Sequence, residues 1–446
     1  MTQNIVLGGR GPVRRLLGVG LVDYLGVGLF VAFSAVYFTR IVGLSTGLVG
    51  IGLGIAGLVA LGAAVPIGRL GDRWGVRRTL VGLHLARAAG TAAYAAVGEW
   101  WGFLAAVAVV TTADQSVAAL TQAFVAELAE GAERVRTLAA YRTVANLGIS
   151  VGAPLGGLAV GLEDEAAFRV VVLVNAAAFV AVAALLTTIP APAPSRAAPR
   201  PDAAPGPVAP GRAALRDRRV WALASVDTLL QLWLPVLNLG IPLWLIARGG
   251  SAAGWLGALY AVNTVLAVLL QVPAARLATS VRAARRCQVA GGGLLAAACL
   301  VLWSGQYTHP AVAFPVGMVL LSFGELIAVS AAWTLSYAIA PEDRRAEYLA
   351  AFGMGRSLGR HVLGPVLVTG LLHTVGGRMW GVLAAIFAGA AGATLFVRLP
   401  TDPTPDATPD AAPERAARAL VRPRTGPPPP VRRWRTPPGP GRPTPG

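Results

Sequence analysis

The chain has 446 residues, of which 55% are hydrophobic and 13% charged, and it carries a formal net charge of +17; its mean hydropathy is +0.62. That balance excludes an average soluble domain and, with only two cysteines, a disulfide scaffold. It places the chain in a membrane.

A bilayer core about 30 Å thick takes roughly 20 mostly apolar residues per spanning helix. Twelve such runs follow one another, at 17–39, 45–67, 79–98, 102–125, 139–162, 167–188, 220–246, 252–274, 287–304, 311–338, 347–372 and 378–398. Lipid offers backbone groups no partner, and the runs lack the period-2 alternation of a barrel, so they are expected to be helices. The fold class is all-α, a membrane protein of twelve transmembrane helices.

In chain order, residues 1–16 carry three Arg and lead into the first run without a small-residue cleavage site, so that helix is expected to be retained. The first run, GVGLVDYLGVGLFVAFSAVYF, contains a single charge, Asp23. Single acids recur in the fourth, seventh and tenth runs as Asp114, Asp227 and Glu325. A carboxylate at depth costs at least ~2.5 kcal/mol on insertion scales, so such residues face protein or a wet cavity and mark an ion or proton path. Asp23 is the first choice as proton carrier. Arg87, at similar depth in the third run, is the residue that would turn one of these acids into a permanent structural pair.

Asp227, Gln231 and Asn238 lie within about 40° of one line on the seventh helix, a polar stripe on an apolar rod. Asp23, Phe30, Ser34 and Tyr37 share a side of the first. A cavity mixing carboxylates, amides and aromatics suits an amphiphilic or cationic organic molecule, and Phe30, Ser34, Gln231 and Asn238 are its candidate lining. Helix-to-helix hydrogen bonding would also use such residues. Arg356 and Arg360, one turn apart in the eleventh run, are expected to snorkel to the cytoplasmic surface.

The basic residues, every one an Arg, crowd the N-terminus, the even-numbered loops and the C-terminal tail; only Arg40, Arg169, Arg248 and Arg378 fall in odd-numbered loops. This asymmetry puts both termini in the cytoplasm and removes the case for nucleic acid, leaving anionic lipid as the tail's contact. The Ala/Gly/Pro/Arg bias points to a GC-rich bacterium and its cytoplasmic (inner) membrane. A Pro/Ala/Arg linker at 190–219 divides the chain into an N-terminal six-helix bundle at 1–189 and a C-terminal one at 220–399; a disordered tail at 400–446 has the linker's composition.

The halves match. Asp23 meets Asp227, VPIGRL (65–70) meets VPAARL (272–277), and Phe103, Asp114, Arg134, Gly148 and Pro154 meet Phe314, Glu325, Arg345, Gly359 and Pro365. A same-direction repeat implies two bundles related by a pseudo-two-fold axis along the membrane normal. No GxxxxGK[ST] motif occurs and the chain has no Lys, so ATP-driven transport by this chain is not expected. His84, His309, His361 and His373 are scattered, and no metal site is expected. Cys287 and Cys299 stand on the order of 18 Å apart along one helix, too far for a disulfide.

The loop GRLGDRWGVRRTL (68–80) resembles the signature of the major facilitator superfamily at Gly68, Leu70, Asp72, Arg73, Gly75, Arg77 and Arg78, and departs at Val76. GISVGAPLGG (148–157) resembles the helix-five motif of that family's antiporters at Gly148, Gly152, Pro154, Gly156 and Gly157, with Ala153 interposed before the proline. The resemblance spans all twelve runs and omits linker and tail. It implies a cavity lined by the first, fourth, seventh and tenth helices, no enzymatic activity, no cofactor beyond the proton gradient, and a gating role for the loop. There Asp72 would accept from amides at the start of the eleventh helix, while Arg73 and Arg77 pair with Glu127. The second-half copy has Thr279 in place of Asp72, so the latch is one-sided. The function expected is export of an amphiphilic, drug-like molecule by proton antiport with alternating access, performed by a monomer. Proton-coupled uptake of a nutrient, and a non-transporting receptor or scaffold on the same fold, are the alternatives.

Overall fold

A computed structural model describes residues 11–129, 131–161, 165–190, 212–248, 255–307, 310–341 and 344–399. Most of the linker (191–211) and the tail from 400 onward lie outside the described residues. Residues up to Thr401 cluster as one compact unit.

Among the described residues the secondary structure is helical throughout. We label the rods α1 (Gly11–Val36, extended by a π-helical turn, Tyr37–Ile41), α2 (Thr46–Trp74), α3 (Val76–Tyr94), α4 (Trp100–Leu128), α5 (Gly131–Gly161) and α6 (Glu165–Thr187). After a short turn at Arg212–Arg216 come α7 (Arg218–Arg248), α8 (Trp255–Leu277), α9 (Val281–Ser304) and α10 (Pro310–Ile339). The last rods are α11 (Arg345–Leu358, the π turn Gly359–Leu363, then Gly364–Val375) and α12 (Met379–Thr394).

Eight stretches are long and apolar enough to cross a membrane by length and composition, and a ninth is added if Gly11–Val31 and Ser34–Ile41, bent by 44°, count as one. The chain is therefore a multi-pass membrane protein. The shorter tally has a physical cause. Helix α3 carries His84 and Arg87 among its apolar residues, α5 opens on a polar first turn, and α11 and α12 run on as one stretch, Glu347–Thr394.

Helix ends follow local chemistry. Ser45 Oγ accepts from Leu48 N–H at the start of α2 (3.3 Å) and Ser280 Oγ from Ala283 N–H at the start of α9 (3.2 Å). The Ser280 cap starts α9 six residues before the expected 287, with Arg282, Arg285 and Arg286 in its first turns. At the other boundary, Asp217 Oδ1 accepts from Arg219 N–H (2.8 Å) and starts α7 at Arg218, so the linker ends earlier than its composition suggested. The end of the linker also docks on α11: Ala214 N–H donates to Glu347 Oε1 at 2.8 Å, and Tyr348 Oη donates to Asp217 Oδ2 at 3.2 Å. Between α2 and α3 the chain turns at Gly75 with φ +89°, a left-handed backbone that glycine takes without penalty.

Packing repeats along the chain. Helix α1 packs on α5 and α6, α2 on α4, and α3 on α4 and α6; the same neighbours recur six helices later, as α7 on α11 and α12, α8 on α10, and α9 on α10 and α12. The two halves meet through α2 on α11 and α5 on α8, contacts that exchange under the same shift. At the first seam, Cβ atoms added at Gly50 and Gly57 would fall 2.7 and 2.2 Å from the carbonyl oxygens of Pro365 and His361. At the second, Asn146 Nδ2 donates to Gln271 Oε1 at 3.0 Å.

Candidate functional site

The acids sort into three environments. Asp23 on α1 is buried, and Arg87 Nη1 on α3 donates to its Oδ1 at 2.6 Å. The same Nη1 stands 3.2 Å from His84 Nδ1, which is 3.9 Å from Asp23 Oδ1, and the guanidinium lies 3.9 Å from the Phe179 ring centre. Arg87 Nε approaches Asp114 Oδ1 to 2.5 Å as an ion pair outside hydrogen-bond angles. One guanidinium thus serves two carboxylates and leaves one negative charge in excess. The Asp114 side chain is 44% exposed where that of Asp23 is 4%.

Asp227 on α7 is buried in a second network. Gln231 Nε2 donates to its Oδ1 at 3.0 Å and Arg356 Nε to its Oδ2 at 3.2 Å. Arg360 Nε donates to Gln231 Oε1 at 2.7 Å. Arg356 also covers the Trp333 ring at 4.6 Å and Arg360 faces that of Trp233 at 5.6 Å. The expected snorkelling of these two arginines is overturned: a buried carboxylate one helix away offers a charge-assisted bond that the surface does not. Asp23 and Asp227 are repeat-related, yet their arginines come from non-equivalent helices, α3 and α11.

Glu325 on α10 stands apart. Asn263 Nδ2 on α8 donates to its Oε1 at 3.3 Å and to Ser322 Oγ at 3.0 Å, while Glu325 Oε2 is buried without a hydrogen-bond partner. No ion pair reaches Glu325 among the described residues.

A cavity of about 230 Å³ sits where the halves meet. The first half lines it with Phe30, Ser34, Phe38, Tyr94, Thr111, Asp114 and Gln115, the second with Leu234, Pro235, Asn238, Arg360 and His361. Phe30 stacks on Tyr94 with centroids 5.4 Å apart, and Phe38 meets Tyr94 edge-on at 4.9 Å, so one wall is aromatic. Three of its helices leave α geometry at the wall: Phe38 belongs to the π turn of α1, Asn238 and Leu239 to the π turn Val236–Gly240 of α7, and Arg360 and His361 to the π turn of α11. Pro235 and Pro365 flank two of these turns and supply no N–H.

Of the expected lining, Phe30, Ser34 and Asn238 face the cavity. Gln231 does not; it is buried behind the wall, holding Arg360 to the Asp227 network. Of these four acids only Asp114 lines the cavity; Asp23, Asp227 and Glu325 are buried and do not. Tyr37 is buried with its hydroxyl donating to Tyr94 O at 2.8 Å. Phe38, Tyr94, Gln115 and Arg360 were missed from the sequence, Arg360 because its location depends on which helix α11 faces.

The loop at 68–80 is not latched here. Asp72, Arg73, Arg78 and Glu127 are exposed, and no ion pair joins Arg73 or Arg77 to Glu127 among the described residues. Arg77 Nη1 instead donates to Ile189 O at 2.6 Å, just beyond α6. Gly68 lies within α2 and Gly75 at its end. On α5, Gly148 and Gly152 meet the α1 backbone, with added Cβ atoms 2.8 Å from Leu25 N and 2.2 Å from Leu25 O. Pro154 and Gly156 continue the helix, with Gly156 buried, and Gly157 lies in the last turns of α5.

The Major Facilitator Superfamily profile matches residues 16–362 and 236–438. No curated protein matches the chain by sequence. Among solved structures, the nucleoside transporter NupG superposes with a TM-score of 0.70 at 13% identity, covering 87% of this chain and 99% of that one. A D-xylose-proton symporter gives 0.66 at 15%, over 86% and 96%. A bacterial homologue of the human lysosomal transporter Spinster, inward-facing and occupied, gives 0.63 at 15%, over 87% and 95%. At these identities the likeness is one of fold.

Proposed function

Because the chain belongs to the Major Facilitator Superfamily, we propose that it is a secondary active transporter that moves an amphiphilic small molecule across a bacterial cytoplasmic membrane in exchange for protons. In this reading twelve helices span the bilayer as two six-helix bundles, both termini are cytoplasmic, the chain works as a monomer, the basic tail meets anionic lipid, and the proton gradient is the only energy source. The observation that carries the proposal is the cavity between the repeat-related halves, where Asp114 opens to the lumen while sharing its single arginine with a buried second acid.

That arrangement favours Asp114 over Asp23 as the coupling residue. Asp23 is buried against Arg87 and does not line the cavity, whereas a proton and a cationic substrate group can compete for Asp114. Competition for one carboxylate gives antiport: the substrate binds the ionised acid, and protonation from the opposite side expels it. The helix-five glycines and Pro154 agree with an exporter.

The seam on α2 lies at Gly50–Gly57, toward the end of the helix remote from Asp72. This favours a state open at the end bearing the termini, with Asp72, Arg73 and Arg77 waiting to latch the opposite state. A second reading, proton-coupled uptake, draws on the fold-level likeness to a D-xylose-proton symporter.

Everted membrane vesicles with an acidic lumen separate the two. If the chain exports, a compound added outside draws protons out of the lumen and collapses the pH gradient, and Asp114→Asn abolishes the response. A response only to compound loaded inside establishes uptake. Failure of every compound to move protons in either geometry rejects proton coupling.

A further inference from the structure

The two charged side chains of the cavity have opposite signs, come from opposite halves, and do not pair with each other among the described residues. Each is only partly satisfied. Asp114 uses Oδ1 on an arginine already engaged by Asp23, and its Oδ2 has no hydrogen-bond partner among the described residues. Arg360 uses Nε on the neutral Gln231, and the nearby Asp227 already holds Arg356, so its terminal nitrogens are without a bond in the same sense. The Asp114 carboxylate of the first half and the Arg360 guanidinium of the second thus face one lumen. The same lumen is lined by Phe30, Phe38 and Tyr94 in mutual contact, and the buried Gln115 Nε2 has no partner among the described residues.

We propose that the occupant is amphoteric, a compact molecule with an ammonium-type cation for Asp114, a carboxylate-type anion for Arg360, and a flat apolar body against Phe30 and Tyr94. Elementary energetics rank the singly charged classes below an amphoteric one. A cation alone leaves the terminal nitrogens of Arg360 without a partner, an anion alone leaves Asp114 Oδ2 so, and a charge-assisted hydrogen bond forgone in such a place costs about 1.5–3 kcal/mol. The volume, about 230 Å³, is below the roughly 300–1,000 Å³ usual for drug-sized ligands. A cavity of this size favours a small, metabolite-sized occupant. This assignment rests on the cavity being the transport site proposed above.

Four indole probes of similar body test it by isothermal titration of the full chain in detergent: tryptophan with both charges, tryptamine with the cation, indole-3-propionate with the anion, and indole with neither. Tryptophan is expected to bind about tenfold or more tighter than either singly charged probe. Asp114→Asn should weaken tryptophan and tryptamine and spare indole-3-propionate, and Arg360→Gln should weaken tryptophan and indole-3-propionate and spare tryptamine. The ranking in the unmodified protein decides alone if either variant fails to fold. A singly charged probe binding as tightly as tryptophan, or no probe binding, overturns the proposal. The vesicle assay fails independently: proton flux with a singly charged compound would sink the amphoteric assignment and keep transport, and the predicted ranking without proton flux would do the opposite.

Discussion

Arg87 carries more at the scale of single side chains than its position in the sequence suggested. It stands between Asp23 and Asp114, so its removal leaves two carboxylates without their cation, one of them sealed from water. Breaking a buried pair in this way costs about 3–5 kcal/mol. Arg87→Ala is therefore expected to lower the thermal unfolding midpoint of the purified protein sharply, and adding Asp23→Asn should recover part of the loss. Equal destabilisation with and without Asp23→Asn would deny the pair its role. Glu325 makes the contrary case. Its Oε2 has no partner to lose, so Glu325→Gln should leave stability within about 1 kcal/mol, measured by the same melt. If that variant abolishes proton-linked flux while Asp114→Asn does not, coupling belongs to Glu325.

The acids were legible from sequence because a lone charge in an apolar run stands out against its cost in lipid. Their partners were not. A cation in a membrane helix can snorkel or turn inward, and only the packing of α11 on α7 decides that Arg356 meets Asp227. Gln231 was read as lining because it shares a stripe with Asn238, but the helix is interrupted at Gln231–Leu232 and Asn238 belongs to the π turn Val236–Gly240, so ideal helical angles do not hold from one to the other. The latch contacts were likewise unreadable, since a loop motif states which groups are available and not which conformational state engages them.

Among the helices, close approach is set by glycine at two seams of different purpose. Within the first half, Gly152 lets α1 lie against α5, and a side chain there would meet Leu25 O. Gly152→Val should force the helices apart at about 1–3 kcal/mol and lower the folded yield after extraction. Between the halves, Gly57 faces His361 O. A side chain at Gly57 obstructs only the state in which α2 and α11 touch, so Gly57→Val is expected to leave the protein folded and shift it toward the alternative conformation. Spin labels at Gly43 and Tyr307, beyond the α2 and α9 ends remote from Asp72, should then report longer distances than in the unmodified chain. Unchanged distances would mean that this seam does not open. The π turns of α1, α7 and α11, all at the cavity wall, had no sequence signature beyond Pro235 and Pro365. Such turns mark sites where a helix interior must present a side chain off its regular register.

At the level of the molecule, the neighbour relations of the first six helices recur in the last six, and the contacts across the halves exchange under the same shift. This two-fold logic was legible in the paired motifs, from VPIGRL and VPAARL to Pro154 and Pro365, and it is what rocking about a central site requires. The charges break the symmetry. The first half brings the Asp114 carboxylate to the cavity and the second the Arg360 guanidinium, so the wall carries both signs.

Water access to the charged groups tests this arrangement most directly. Cysteines placed singly at Ser34, Asp114, Asn238, Asp23 and Asp227, in a chain lacking Cys287 and Cys299, can be challenged with a membrane-impermeant maleimide from each face of oriented vesicles. Positions 34, 114 and 238 should label rapidly from the face bearing the termini and, when a latched state is populated, from the other, while 23 and 227 stay protected in both. Protection at 114, or labelling at 23 as fast as at 114, would show that the excess carboxylate does not open onto the seam and would contradict proton exchange there.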